Sequence, residues 1–247
     1  MLETTEDYIL NGKIRLFQPK NGYRVAVDPV VLASFVALKP RCKVLDVGCG
    51  TGAISLILKL KERTAEITAI DMDDGTCQIC RRNAQANSLN LEILVARAGG
   101  SYDPLENRFF DVVVTNPPFF SAESSRLSSA KKLTNFETLD LADWISYCLG
   151  KLKNNGAFFM IHCASRIGDI LETLNGVGSI EITPLFPKYG KEAKRVVIQC
   201  KKNHKSNARI LPGLFMHDAD GKYSADLDGI LNGNFLQLST SDPIRNL

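Results

Sequence analysis

Two short stretches hold residue types whose spacing could do chemistry. The first is Asp46-Val47-Gly48-Cys49-Gly50-Thr51-Gly52. It lies between an apolar run ending at Val47 and an amphipathic segment, Ala53 to Leu60, and so reads as a buried strand, a tight glycine turn and a helix start. A turn without Cβ atoms lets a ligand lie against bare backbone. The following helix start points free N–H groups at that ligand. The second stretch is Asn116-Pro117-Pro118-Phe119. Its prolines stop a strand and fix the backbone. The Asn116 side-chain carbonyl and the Pro117 backbone carbonyl are two acceptors that can be aimed at one planar NH₂ group. Hydrogen bonds to both amino hydrogens draw the nitrogen lone pair out of conjugation, which makes that nitrogen a nucleophile without a strong general base. Phe119 offers a flat face on which a base or an amide can stack.

The elements that must position these stretches follow from the pattern of the chain. Asn21-Gly22 predicts a short N-terminal hairpin with Tyr23 to Val27 as its second strand. A buried helix runs from Asp28, its N-cap, to Leu38. Strands are expected at Lys43–Val47, Glu66–Ile70, Leu91–Ala96, Phe110–Thr115, Ala157–His162, Ile180–Leu185 and Arg195–Lys201. Helices are expected at Gly52–Lys61, Asp74–Asn87, Leu139–Lys151 and Arg166–Leu174. This alternation implies an α/β fold, a doubly wound parallel sheet whose last two strands pair as an antiparallel edge hairpin. Both chemical stretches then stand at carboxyl ends of strands, where open α/β sheets bind ligands. Lys202 to Leu247 read as a polar, turn-rich tail.

Composition narrows the class. The 247 residues are 45% hydrophobic, enough for one large domain with a full core. No run of about 18 apolar residues predicts a membrane span, and the acidic, polar start from Met1 to Asp7 does not read as a signal peptide. Seven scattered cysteines fit a reducing cytoplasm. Cys77 and Cys80 form a C-x-x-C inside an expected helix with no second pair, so they read as packing residues, and no metal is expected. The net charge of +3 decides nothing alone. Its distribution says more: Lys188 to Arg209 holds eight basic residues against the single acid Glu192, and Arg126, Lys131 and Lys132 follow Phe119 closely. Such groups suit phosphate contacts, although a lysine-rich solvated face gives the same pattern.

The glycine turn has two readings. Gly48, Gly50 and Ala53 satisfy the G-x-G-x-x-A dinucleotide fingerprint. The spacing Asp46-x-Gly48-x-Gly50-x-Gly52 resembles motif I of the S-adenosylmethionine (SAM) methyltransferases, where the acid would face the ligand's ammonium group; a pyrophosphate would be repelled there. Asp71, about 20 residues on, can accept ribose hydroxyls in either case. Asn116 to Phe119 resembles the [DNS]-P-P-[YFW] tetrad of amino methyltransferases, which act on adenine N6, guanine N2, cytosine N4 or a glutamine amide. The flanks extend the likeness from about Asn11 to Leu236. Tyr23 to Pro29 looks like the segment closing over the methionine end of the cofactor, with Asp28 in it. Arg209-Ile210, Gly213 and Lys222-Tyr223-Ser224 are similar to the ending of the bacterial tRNA1(Val) adenine-37 N6-methyltransferase family.

The resemblance implies a cytoplasmic, monomeric SAM-dependent RNA methyltransferase. In it residues 1–40 carry the hairpin and first helix, 41–203 the SAM-binding core and 204–247 an extension, all in one domain. Asp28, Asp46, Gly48, Gly50, Gly52 and Asp71 would hold SAM. Asn116, Pro117, Pro118 and Phe119 would form the catalytic tetrad. Arg126, Lys131, Lys132 and Arg209 would meet RNA, tRNA above all. Two departures stand out. Arg97 occupies the place where an acid usually meets the adenine ring, with Asp103 as a substitute. Phe119 replaces the commoner tyrosine, as it does in many guanine-N2 rRNA methyltransferases. Those enzymes, the protein glutamine methyltransferases and a non-catalytic RNA-binding protein remain as alternatives.

Overall fold

The computed structural model describes residues 3–22, 24–118 and 139–237. Phe119, Arg126, Lys131, Lys132 and Tyr23 lie outside them. The chain opens with an antiparallel pair, β1 (Thr4–Ile9) and β2 (Ile14–Pro19), followed by helix α1 (Val27–Phe35). Then come β3 (Lys43–Val47), α2 (Ala53–Lys61), β4 (Glu66–Asp71), α3 (Asp74–Ala86), β5 (Glu92–Val95), β6 (Phe110–Thr115), α4 (Leu141–Gly150), β7 (Leu152–Cys163) and α5 (Ile167–Thr173). The last elements are β8 (Gly178–Phe186), β9 (Arg195–Lys202), β10 (Arg209–Ile210), β11 (Leu214–Phe215) and α6 (Ala225–Leu231). No helix among the described residues is long and apolar enough to cross a membrane.

The main sheet has the order β10-β8-β9-β7-β6-β3-β4-β5, with β11 also paired to β8. From β7 through β6, β3 and β4 to β5 the pairing is parallel; β9 is antiparallel to both β7 and β8. The twofold alternation of strand side chains sorts the core onto two faces. Val44, Ile67, Val112, Val114 and Phe159 pack with α1, α2, α3 and α6, and Leu45, Val47, Val113, Phe158 and Met160 with α4 and α5. β3 and β6 lie side by side at the centre, with Asp46 level with Val114 and Val47 with Thr115. Their carboxyl ends are the two chemical stretches.

Two expectations are corrected. The N-terminal hairpin exists, but it turns at Asn11-Gly12, where φ is +53° and +81°, and Asn21-Gly22 follows its second strand. Both dipeptides suit such a turn; the register Ile9↔Ile14 buries Ile14, Leu16 and Phe17, and that burial decides between them. The second correction concerns the sheet edge. The β8–β9 hairpin is antiparallel as expected, yet β8 is not the edge, because β10 and β11 add to it in parallel. The tail therefore extends the sheet, and Leu214, Leu227, Ile230 and Phe235 are buried in the same cluster as α1.

Candidate cofactor and acceptor site

The glycine turn leaves β3 with left-handed backbone at Gly48, Gly50 and Gly52. Close packing explains two of these glycines. A Cβ on Gly48 would lie 3.0 Å from the Trp144 ring, and one on Gly52 would lie 2.5 Å from Cys80 Sγ. A Cβ on Gly50 would meet nothing within 4 Å among the described residues, so the turn is open to a ligand on that side. The turn's backbone is held from the neighbouring strand: Gly48 N and Cys49 N each donate to Ile70 O at 2.9 Å, and Gly50 N donates to Asp71 Oδ2 at 2.9 Å. Asp71 Oδ1 accepts from Asp73 N at 3.1 Å. Each carboxylate oxygen keeps a further acceptor site. Asp71 thus shapes the loop and can still accept hydroxyls. Asp73, not Asp71, caps α3 through Thr76 N.

Asp46 is fully buried beneath the turn. Its Oδ2 accepts from Ser55 N at 3.1 Å and from Ser55 Oγ at 2.6 Å, while Oδ1 has no partner among the described residues. Burial pushes its carboxyl up to about 7, against the lowering effect of the Ser55 hydrogen bonds. Thr51 Oγ1 and Asn116 Oδ1 are also buried without a partner among the described residues. Asn116 follows β6 in line with Val112 and Val114, and the next residue, Pro117, keeps it extended. Alternation therefore turns Asn116 toward the face of the sheet that Asp46 occupies. Three orphaned oxygens at neighbouring strand ends call for donors, since buried polar groups are rarely left unpaired. A ligand with an ammonium group, hydroxyls and an acceptor amine beside it fits that demand.

Two supporting residues carried no local signal. Trp144 on α4 donates from Nε1 to Thr115 Oγ1 at 3.0 Å, and Thr115 Oγ1 donates to Val47 O at 2.8 Å. Trp144 thereby ties the last residue of β6 to the last residue of β3 while its ring fills the space beside Gly48. Asn83 on α3 is fully buried; it donates to Thr51 O and Phe17 O, both at 2.9 Å, and accepts from Phe17 N at 2.7 Å. It joins the N-terminal hairpin to the glycine turn. Only the threefold and fourfold spacing of buried positions on an amphipathic helix hinted that Asn83 faces inward.

Other expected residues fall elsewhere. Asp28 does not cap α1; the N-cap is Ala26, and Asp28 sits in the first turn with its carboxylate 3.1 Å from Arg195 Nε. The β9 arginine and the helix N-terminus both favour an acid there. A cofactor reaching Asp28 has to share it with Arg195. Asp103 is not an open acceptor: it pairs with Lys151 and takes Leu105 N at 2.9 Å and Tyr147 OH at 3.3 Å. Arg97 is exposed beyond the end of β5. Arg209 pairs with Glu181. Cys77 and Cys80 are buried packing residues of α3.

A parallel sheet of this order with a glycine turn at the end of its central strand is the arrangement of the class I SAM-dependent methyltransferase fold, and the matches that follow support SAM as the methyl donor. Within that class, residues 27–141 match the family described as "Methyltransferase small domain". That span runs from α1 to the start of α4 and includes both chemical stretches. The chain is 27% identical over 228 residues to a tRNA1(Val) (adenine(37)-N6)-methyltransferase of Shewanella baltica, covering 87% of this chain and 93% of the relative. It is 24% identical over 203 residues to the enzyme of that name from Haemophilus influenzae, covering 81% and 86%. Among solved structures, a predicted O-methyltransferase from Agrobacterium tumefaciens superposes with a TM-score of 0.68 at 22% identity, over 83% of this chain and 95% of that one. A Thermus thermophilus 16S rRNA N2 G1207 methyltransferase, solved with AdoMet and guanosine, gives 0.56 at 20% identity, over 81% and 50%.

Proposed function

We propose that this chain methylates the exocyclic amino group of a base in RNA, and that the base is adenine N6 in a tRNA, as in the tRNA1(Val) adenine-37 enzymes it resembles. The carrying observation is Asn116: a buried amide oxygen without a partner among the described residues, at the carboxyl end of a central strand and followed by Pro117. SAM supplies an electrophilic methyl group when bound. The residues that would hold it are Gly48, Gly50 and Gly52 through their backbone, Asp71 through its remaining acceptor sites toward ribose, and Asp46 through Oδ1 toward the ammonium group. Asn116 Oδ1 and the Pro117 carbonyl accept the two amino hydrogens of the base, which frees the nitrogen lone pair. Phe119 stacks on the base, and Arg126, Lys131 and Lys132 contact its flanking phosphates. A base inside a folded RNA has to be splayed out to reach Asn116.

Phe119 in the last position of the tetrad favours a second reading, a guanine-N2 acceptor. Both are tested by incubating the protein with methyl-labelled SAM and RNA lacking the modification, then analysing nucleosides. N6-methyladenosine in tRNA is the expected result. N2-methylguanosine keeps the chemistry and changes the base. Label in protein glutamine, with none in RNA, overturns the RNA assignment.

A further inference from the structure

The eight basic residues between Lys188 and Arg209 are one cluster in sequence and two in space. β9 separates them by eight residues, roughly 25 Å. Lys201 and Lys205 lie at the far end of β9, away from the site. Three others are already engaged. Arg195 pairs with Asp28, Arg209 pairs with Glu181, and Lys202 Nζ donates to Leu149 O at 2.9 Å and Leu152 O at 3.2 Å. Lys188, Lys191 and Lys194 remain, exposed in the turn between β8 and β9 and in no ion pair among the described residues.

That turn stands at the carboxyl edge of the sheet. Arg195 is level with Cys163, the last residue of β7, and β7 neighbours β6. The turn therefore rises two strands from Asn116, about 10 Å across the sheet. It also presents aromatic rings. Tyr189 is 88% exposed, directly before Gly190 with φ +73°. Its ring lies 6.1 Å from that of Phe215, which stacks on Phe186 at 5.2 Å and 25°. The step is built from behind, because a side chain at Gly213 would strike the Phe186 ring. A bare tyrosine ring amid three unpaired lysines has little to offer a core and much to offer a polyanion with exposed bases.

We propose that Tyr189, backed by Phe215 and flanked by Lys188, Lys191 and Lys194, is a second contact for the RNA substrate, stacking an unpaired base near the one presented to Asn116. The proposal rests on the RNA reading above. Aromatic stacking of this kind is sequence-tolerant, and its removal weakens binding by about 5- to 150-fold. The test is the affinity of the full chain for a tRNA anticodon stem-loop, read by fluorescence anisotropy over a range of salt, for the wild type, Tyr189→Ala, Tyr189→Phe and a Lys188→Ala/Lys191→Ala/Lys194→Ala triple variant. Tyr189→Ala is expected to fall within that range, to raise KM for RNA and to leave SAM affinity and kcat at saturating RNA unchanged. Tyr189→Phe is expected to bind like the wild type. The triple variant should flatten the slope of log Kd against log salt by about 2, at ~0.7 per phosphate contact on a single strand. Wild-type affinity in both Tyr189→Ala and the triple variant overturns this contact and leaves the RNA reading standing. A wild type that neither binds nor methylates RNA overturns both.

Discussion

The carboxyl ends of β3 and β6 are neighbours in the sheet and are finished in opposite ways. At β3 the backbone closes on itself: Gly48, Cys49, Gly50 and Gly52 all donate to acceptors within the protein. At β6 two prolines leave no such N–H groups to donate, and Asn116 Oδ1 stays buried without a donor among the described residues. One end is a shape that exists before any ligand arrives. The other is an acceptor that only a substrate can satisfy. Changes at the first should therefore disturb folding and cofactor binding, and changes at the second should disturb the reaction alone.

The sharpest test of that contrast is Asn116→Ala. Loss of one acceptor that serves the reacting amine is expected to lower kcat by about 10²- to 10³-fold, with SAM affinity by calorimetry within twofold of the wild type. Equal loss of both would erase the distinction between the two ends. Next in size is Asn83→Leu, which leaves Phe17 N, Phe17 O and Thr51 O without partners. A stability loss of about 2–3 kcal/mol is expected in urea unfolding, together with weaker SAM binding; an unchanged midpoint would mean that the hairpin does not brace the glycine turn.

Asp46 gives a pH test. Its carboxyl stands at about 7 in the free protein because burial outweighs the Ser55 hydrogen bonds. An ammonium group beside Oδ1 favours the ionised form, so SAM binding should release a proton below pH 7. Affinity should then rise by up to tenfold per pH unit toward 7 and level off above it. Calorimetry in buffers of different ionisation enthalpy reads the proton directly, and a flat profile would remove Asp46 from the cofactor. The same raised pKa means that the free protein binds a proton that the unfolded chain has lost between about pH 4 and 7, so the Asp46 contribution to stability falls as pH rises through that window. The smallest expected effect is that of Trp144→Phe, which removes the donor to Thr115 and draws the aromatic surface back from Gly48, where the indole Cζ2 and Cη2 lie: about 1–2 kcal/mol in stability, with kcat reduced more than SAM affinity. The reverse split would place Trp144 with the cofactor turn rather than with Asn116.

Much of this was legible in the sequence. β3 and β6 have the expected bounds because buried central strands are continuous apolar runs ending in turn residues. The glycine spacing is legible because all three positions need left-handed backbone, and close packing at Gly48 and Gly52 leaves no room for a Cβ. What escaped has a common physical cause, dependence on distant partners. Asn11-Gly12 and Asn21-Gly22 are equal as local turn signals, and only the burial of Ile14, Leu16 and Phe17 chooses between them. Asn83 and Trp144 are single polar or aromatic positions on helices, without a period of their own. The eight basic residues look like one patch until an eight-residue strand carries them to opposite ends. β10 and β11 are two residues each, too short for any alternation to register.

Those two short strands also bear on solubility. Without them β8, nine residues long and paired to β9 on its other side, would end the sheet with the outward N–H and C=O groups of its alternate residues unpaired, Pro184 excepted for the N–H, a template on which another molecule's strand could add. β10 covers Glu181 and Ile182, and β11 covers Leu185 and Phe186, so the available edge is broken into fragments too short to propagate. β10 and β11 thus blunt the edge of β8, while Leu214, Leu227, Ile230 and Phe235 of the same tail cover the core beside α1.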